Sequence, residues 1–177
     1  DVATAVIDHA DAVMLSNESA SGKYPVQAVK TMSDIIIKTE ASVYDNMPLR
    51  EPKGAHQPID GVISQMSRLL AEKISSKIIL AASITGETGR LISRFRPELL
   101  IAVATGSERV RRQLNLSWGV YPFILNSYRS IEEFIEQSIV QLKDSNIVAV
   151  NDHIVVVAGE PIGQADRVNL LEVRDVT

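Results

Sequence analysis

The stretch Ile78-Ile79-Leu80-Ala81-Ala82-Ser83-Ile84-Thr85-Gly86-Glu87-Thr88-Gly89-Arg90 decides the fold class. Five apolar residues in a row, with no polar alternation, read as a strand buried on both faces, the usual state of a strand in a parallel sheet. The polar, glycine-bearing turn after it reads as a strand-to-helix junction, with a helix expected from about Gly86 to Phe95. The unit then repeats downstream. Leu99–Ala104 predicts a strand and Ser107–Leu114 a helix; Val120–Leu125 predicts a strand and Ile131–Lys143 a helix. His153–Ala158 and Val168–Val176 predict two closing strands. No helix fits between those two, so they are expected to run antiparallel. Strand and helix alternating in this way predict an α/β layer fold with right-handed crossovers.

Upstream, Pro58 opens a helix whose apolar face is expected along Ile59, Val62, Ile63, Met66, Leu69, Leu70 and Ile74. The segment Met47–Gln57 carries Pro48, Pro52 and Gly54 with little to bury, and predicts a linker and domain boundary. Before it, Asp1–Ala10 reads as a helix end and Ala12–Leu15 as a short buried strand. A polar turn follows at Ser16-Asn17-Glu18-Ser19. A helix then starts at Pro25, whose fixed φ suits a first turn, with Val26, Val29, Ile36 and Val43 near helical spacing.

Composition limits the function classes. Of 177 residues, 45% are apolar and 23% charged, the balance of a globular protein. There is no cysteine, which excludes disulfides, thiolate metal sites and thiol catalysis. The formal charge of −4 argues against general nucleic-acid binding. No apolar run reaches the length of a membrane span. His9, His56 and His153 are far apart and lack metal-ligand spacing. A chain that opens on Asp1 rather than Met is expected to be an excised or incomplete one.

Three polar segments are candidate anion sites, because ligands gather at the carboxyl ends of strands in open α/β sheets. The first is Ser83–Arg90, where hydroxyls, glycines and a helix start could hold an anion, with Arg90 adding charge. The alternative is that Ser83, Thr85 and Thr88 only cap the helix. The second is Thr105-Gly106-Ser107-Glu108 ahead of Arg109, Arg111 and Arg112; its alternative is a helix cap followed by a solvated basic face. The third is the loop Gly159–Arg167, too long for a tight hairpin turn, with Gly163 in it and Arg167 able to reach a phosphate. A plain surface loop is the alternative there. None of the three is a Walker A or dinucleotide fingerprint.

The run Asp1-Val2-Ala3-Thr4-Ala5-Val6-Ile7-Asp8-His9-Ala10-Asp11-Ala12-Val13-Met14-Leu15-Ser16-Asn17-Glu18-Ser19-Ala20, continued by Gly22-Lys23-Tyr24-Pro25-Val26-Gln27-Ala28-Val29, resembles a signature of pyruvate kinases in order and without gaps. Thr88-Gly89-Arg90-Leu91-Ile92-Ser93-Arg94-Phe95-Arg96-Pro97 is similar to a second family stretch, and Arg112–Pro122 to a third. Strand His153–Ala158 with Gly159, and Asn169-Leu170, fit the family's closing pattern.

The resemblance implies several things together. The start of the chain would be the eighth strand and final helix of a (β/α)8 barrel, ending near residue 46. Residues 58–177 would be a three-layer C-terminal domain with a mostly parallel five-stranded sheet, its last strand antiparallel. The parent enzyme would be cytoplasmic, moving a phosphoryl group from phosphoenolpyruvate to ADP with Mg2+ and K+, and its metal and phosphate clamps would precede Asp1. This chain alone would then be inactive and bind no metal. Ser16 would be an accessory in a proton relay and Glu18 a hydrogen-bonding support. The family's phosphate loop falls on Ser83, Thr85, Gly86, Glu87 and Thr88, so the domain would bind a sugar phosphate or nucleotide effector and contact other subunits of a tetramer. A free-standing phosphometabolite module and a purely structural assembly domain are the competing readings.

Departures from the family pattern carry expectations of their own. His9 stands where a glycine is usual; if the backbone there takes a positive φ, histidine would tolerate it at a cost of roughly 1 kcal/mol. Asn17 and Ser19 are mild changes. Glu87 puts a negative charge in the phosphate loop, which disfavours a doubly phosphorylated sugar; the closing loop is short and carries Asp166, which leaves a monophosphate, a nucleotide or no effector. Detached from a barrel, the first segment should expose Val13 and Leu15.

Overall fold

The computed structural model describes residues 1–43, 58–164 and 167–177. The expected linker at 47–57, the boundary near 46 and Asp166 lie outside them. The chain divides into two units, Asp1–Lys53 and Gly54–Thr177.

The first unit is helical, with α1 (Val2–Ile7), α2 (Asn17–Ala20) and α3 (Pro25–Glu40). Pro25 stands at the first position of α3, where its missing N–H costs nothing. His9 takes φ 60°, the left-handed conformation allowed for there, which closes the turn after α1. Ala12–Leu15 is not a strand. A strand exists only where a neighbour pairs with its N–H and C=O groups, and this unit has no strand among its described residues. Exposure also differs from expectation: Val13 and Leu15 are half-buried, while Met14 between them is 87% exposed. Val26, Val29 and Ile37 leave an apolar face of α3 open.

The second unit follows the sequence reading closely. Helix α4 (Ile59–Lys73) leads into β1 (Ile78–Ala82), α5 (Glu87–Arg94), β2 (Leu100–Thr105), α6 (Glu108–Leu114), β3 (Val120–Ile124), α7 (Ile131–Asp144), β4 (His153–Ala158) and β5 (Leu170–Asp175). The sheet order is β3-β2-β1-β4-β5. All neighbours are parallel except β4 and β5.

Side chains of a strand alternate between faces, and here they feed two separate cores. Ile78, Leu80, Ala102, Phe123, Ile154 and Val156 pack with Phe134, Ile135 and Leu142 of α7. Ile79, Ala81, Ile101, Val103, Val155 and Val157 pack with Ala71 of α4, Ile92 of α5 and Leu114 of α6. The layers are therefore α7, the sheet, and α4 with α5 and α6. The chain winds from β1 through β2 to β3, then returns across β1 to β4. A reversal of direction under right-handed crossovers sends the connecting helix to the opposite face, and α7 lies there.

Helix α4 corrects the sequence reading. Its buried face is Gly61, Ser64, Ser67 and Ala71, with Ile63, Leu70 and Ile74 half-buried beside it. The expected Ile59, Val62, Met66 and Leu69 are exposed. Small residues let the helix approach α5 and β4 closely, and their hydroxyls are satisfied locally. Ser64 Oγ donates to the Asp60 carbonyl at 2.7 Å, and Ser67 Oγ to that of Ser64 at 2.8 Å. Helix α5 uses the same device. A Cβ on Gly89 would meet Val103 at 2.8 Å, so only glycine allows this approach to β2.

One core hydroxyl is left over. Ser138 on α7 is fully buried and its Oγ has no hydrogen-bond partner, which costs free energy. Ser138→Ala is expected to raise stability by about 1 kcal/mol, read as a higher urea midpoint at unchanged slope. A lower midpoint would mean that this hydroxyl has a partner.

Candidate functional site

The strand order reverses at β1, which has β2 on one side and β4 on the other. At the carboxyl ends of β1 and β4 their loops must part, and that is where open α/β sheets take ligands. A small cleft of about 30 Å3 lies there. The β1–α5 loop supplies Ala82, Ser83, Ile84 and Thr88, and the β3–α7 connection supplies Tyr128 and Ile131. The β4–β5 loop supplies Gly159, Ile162, Gly163, Gln164 and Arg167.

The hydroxyls of the first loop are placed differently from one another. Ser83 Oγ accepts the Gly86 N–H at 2.9 Å, and Thr85 Oγ1 accepts that of Glu87 at 3.3 Å. Both hydroxyls shape the turn. Gly86 adopts φ 88°, which glycine takes without strain, and so turns the chain into α5. Thr88 is different. It is only 4% exposed and lines the cleft. The N–H groups of Thr88 and Gly89 belong to the first turn, where a helix leaves its donors unpaired.

Arg90 does not line the cleft. Its Nε bonds Glu87 Oε2 at 3.2 Å, its Nη2 donates to the Thr85 carbonyl at 3.0 Å, and its Nη1 lies over Gly86. Glu87 and Arg90 thus satisfy each other on the far side of the loop. Arg167 is the one cation among the described lining residues; its Nη1 donates to Gln164 Oε1 at 3.0 Å.

The closing loop is tied at its base. Asn169 Oδ1 accepts the Glu160 N–H at 2.8 Å, and Asn169 Nδ2 donates to the Glu160 carbonyl at 2.9 Å. Gly159 is compressed beneath Arg167, where a Cβ would lie 1.7 Å from the Arg167 carbonyl oxygen. Only glycine fits.

The sequence analysis missed Tyr128. Its ring packs on Phe134, centroids 5.2 Å apart, and burial pushes its phenol pKa above the usual value. It sits in a third strand-to-helix connection, at the carboxyl end of β3. The rule that flagged the loops after β1 and β2 would have flagged this one too.

The second candidate segment behaves as a cap. Ser107 Oγ accepts the Val110 N–H at 3.4 Å, and Arg111 and Arg112 pair with Glu108 at 3.0 and 3.8 Å. None of these residues lines the cleft.

In the first unit, Ser16 and Glu18 are exposed at the start of α2. Glu18 Oε2 accepts the Ser16 N–H at 3.1 Å. Its carboxyl is held below the usual range, chiefly by its own backbone N–H and then by that of Ser16. Among the described residues no three His, Cys, Asp or Glu side chains cluster closely enough to hold a metal ion, and no helix is long and apolar enough to cross a membrane.

Family models and known relatives point to one family. The model of the pyruvate kinase alpha/beta domain matches residues 62–174, and that of the pyruvate kinase barrel domain matches residues 1–29. The chain belongs to the pyruvate kinase family. It is 34% identical to the pyruvate kinase of Sporosarcina psychrophila over 98% of its own length and 30% of the relative's. With that of Clostridium acetobutylicum it is 37% identical, over 99% of this chain and 37% of the relative. The crystal structure of a pyruvate kinase from Cryptosporidium parvum superposes with a TM-score of 0.82 at 28% identity, over 99% of this chain and 35% of that one. The chain therefore spans about a third of the length of the pyruvate kinases it matches.

Gly159→Ala tests the cleft's construction. It is expected to lower stability by about 1–3 kcal/mol, as forced overpacking does, and to speed amide exchange in residues 160–164 and 167–169. Unchanged exchange would show that the loop does not depend on this contact.

Proposed function

We propose that this chain is the C-terminal part of a pyruvate kinase, serving effector binding and subunit assembly. The parent reaction takes phosphoenolpyruvate, ADP and a proton to pyruvate and ATP, a glycolytic and cytoplasmic activity. Phosphoryl transfer needs metal ions and cationic clamps on the moving group. The described residues offer no metal cluster, so no step through Mg2+ or K+ is assigned to them. Ser16 and Glu18 are proposed accessories at the barrel end, Ser16 in proton relay and Glu18 as the acceptor that shapes the turn. An open groove along α3, lined by Ser19, Pro25, Val26 and Val29, supports seating against the rest of a barrel.

The observation that carries effector binding is the meeting of Thr88, at the start of α5, and Arg167 in the lining of one cleft. A phosphate there would accept from Thr88, from the free N–H groups of α5 and from Arg167. Ser83, Thr85 and Gly86 would hold the loop in shape, Gly163 would line the cleft, and Glu87 would keep Arg90 aside.

Thermal unfolding against fructose bisphosphate, ribose 5-phosphate, glucose 6-phosphate and AMP tests this. A ligand binding only the folded chain stabilises it by about 2.7 kcal/mol at a hundredfold excess over Kd. The stabilisation should vanish in Thr88→Ala and Arg167→Ala and persist in Arg90→Ala. No response to any of the four would oppose the effector reading.

A second observation favours assembly. Ile59, Val62, Met66 and Leu69 form an exposed stripe at helical spacing on α4. Met66→Asp with Leu69→Asp should shift sedimentation towards the monomer. A wild-type chain that is monomeric at high concentration would exclude self-association through α4.

A further inference from the structure

We propose that the outer face of α7 docks on the arginine rows of α5 and α6 in a second copy of this chain. The contact joins opposite layers of the second unit and is independent of the cleft and of the α4 stripe.

The acidic side is a single ridge. Residues four apart share one side of a helix, and Glu132, Glu136, Val140 and Asp144 of α7 are all exposed. Helices pack through ridges of this spacing. Glu132 is tied to Arg174 of β5. Glu136 and Asp144 have no ion pair among the described residues, and Val140 between them is an apolar side chain 60% exposed.

The opposite layer carries the opposite sign. Helices α5 and α6 hold five arginines and two glutamates, whereas α7 holds four carboxylates and one lysine. Arg90 and Arg94 form the exposed row of α5, and Arg109 and Arg112 that of α6. The glutamates there are already engaged. Glu87 pairs with Arg90, and Glu108 is divided between Arg111 at 3.0 Å and Arg112 at 3.8 Å. Arg94 and Arg109 have no ion pair among the described residues. Val110, half-buried against Gly86 at the start of α5, offers an apolar point to meet Val140.

This complementarity selects the occupant. From Glu136 to Asp144 the ridge rises about 12 Å at 1.5 Å per residue, the same length as the eight residues of α5. The two surfaces differ and lie on opposite sides of one sheet, so each docked copy presents the same pair again. Association of this kind grows end to end and does not close as a dimer. Exposed ion pairs are individually weak and are screened by salt. The contact is therefore weak, driven by concentration and sensitive to salt, which the apolar stripe of α4 is not.

Sedimentation of the full chain tests this in a Met66→Asp, Leu69→Asp background, so that α4 contributes nothing. At about 0.1 M salt the average mass should keep rising with concentration. At about 1 M the Debye length falls from about 10 Å to about 3 Å, and the apparent affinity should drop about tenfold. Arg94→Glu with Arg109→Glu in one chain, and Glu136→Lys with Asp144→Lys in another, should each stop the growth. An equimolar mixture of the two should restore it, because the reversed faces match each other. Circular dichroism checks that each reversed chain is folded; if one is not, the neutral pair Arg94→Gln and Arg109→Gln must still reduce growth. A chain that stays monomeric at low salt overturns the proposal, as does growth that neither reversal lowers. A mixture of folded reversed chains that fails to associate overturns it too. Poly-glutamate binding by a chain that stays monomeric would assign the arginines to a foreign acidic partner and remove the second copy as occupant.

Discussion

Strand β1 has no face towards water, and the second unit is organised around that constraint. Its alternate residues enter two separate cores, so a slip of one residue would exchange their contents. Ile78 and Leu80 meet α7, while Ile79 and Ala81 meet the layer of α4, α5 and α6. A strand covered on both sides needs neighbours on both edges, and β2 and β4 supply them in parallel. Parallel neighbours require crossover helices, and placing β1 between them reverses the winding. The cleft is thus a by-product of how the central strand is buried. The loops after β1 and β4 separate because the chain after β1 continues into α5, while that after β4 turns back into β5 of the same sheet.

The elements around β1 were legible in the sequence because continuous apolar runs bounded by glycine and polar turns allow few readings. The strand from His153 to Ala158 falls on the expected residues, and the antiparallel closing strand follows from the missing helix before it. Helix α4 was legible as a helix but not in orientation. Counting apolar residues picked out Ile59, Val62, Met66 and Leu69, yet close approach selected Gly61, Ser64, Ser67 and Ala71 for the interior. Hydropathy does not register that a buried serine can satisfy itself on its own helix. The segment Ala12–Leu15 misled for the opposite reason: its pattern suits a strand, but strand structure belongs to a pair, and this unit offers no partner among its described residues.

The site was half legible. Hydroxyls and glycines after β1 marked the loop, but their division of labour needed coordinates. Ser83 and Thr85 turn the chain, and Thr88 faces the cleft. Arg90 looked equivalent to Arg167 by charge and position, yet Glu87 three residues earlier holds it back at helical spacing. Tyr128 escaped because the strand-end rule was applied to the connections after β1 and β2 and not to the one after β3. Its significance comes from the strand end it follows and from Phe134 beneath it.

The paired hydrogen bonds between Asn169 and Glu160 have a consequence beyond local order. They fasten the closing loop at its base, so that β4 and β5 begin and end the same way whatever lies between. The entropy of closing such a loop grows only slowly with its length. Chains with other residues in the interval could therefore keep this sheet and present a different surface to the cleft. A fastened base of this kind separates what the fold must preserve from what the cleft wall is free to change, and it makes the loop an exchangeable cartridge on a fixed frame.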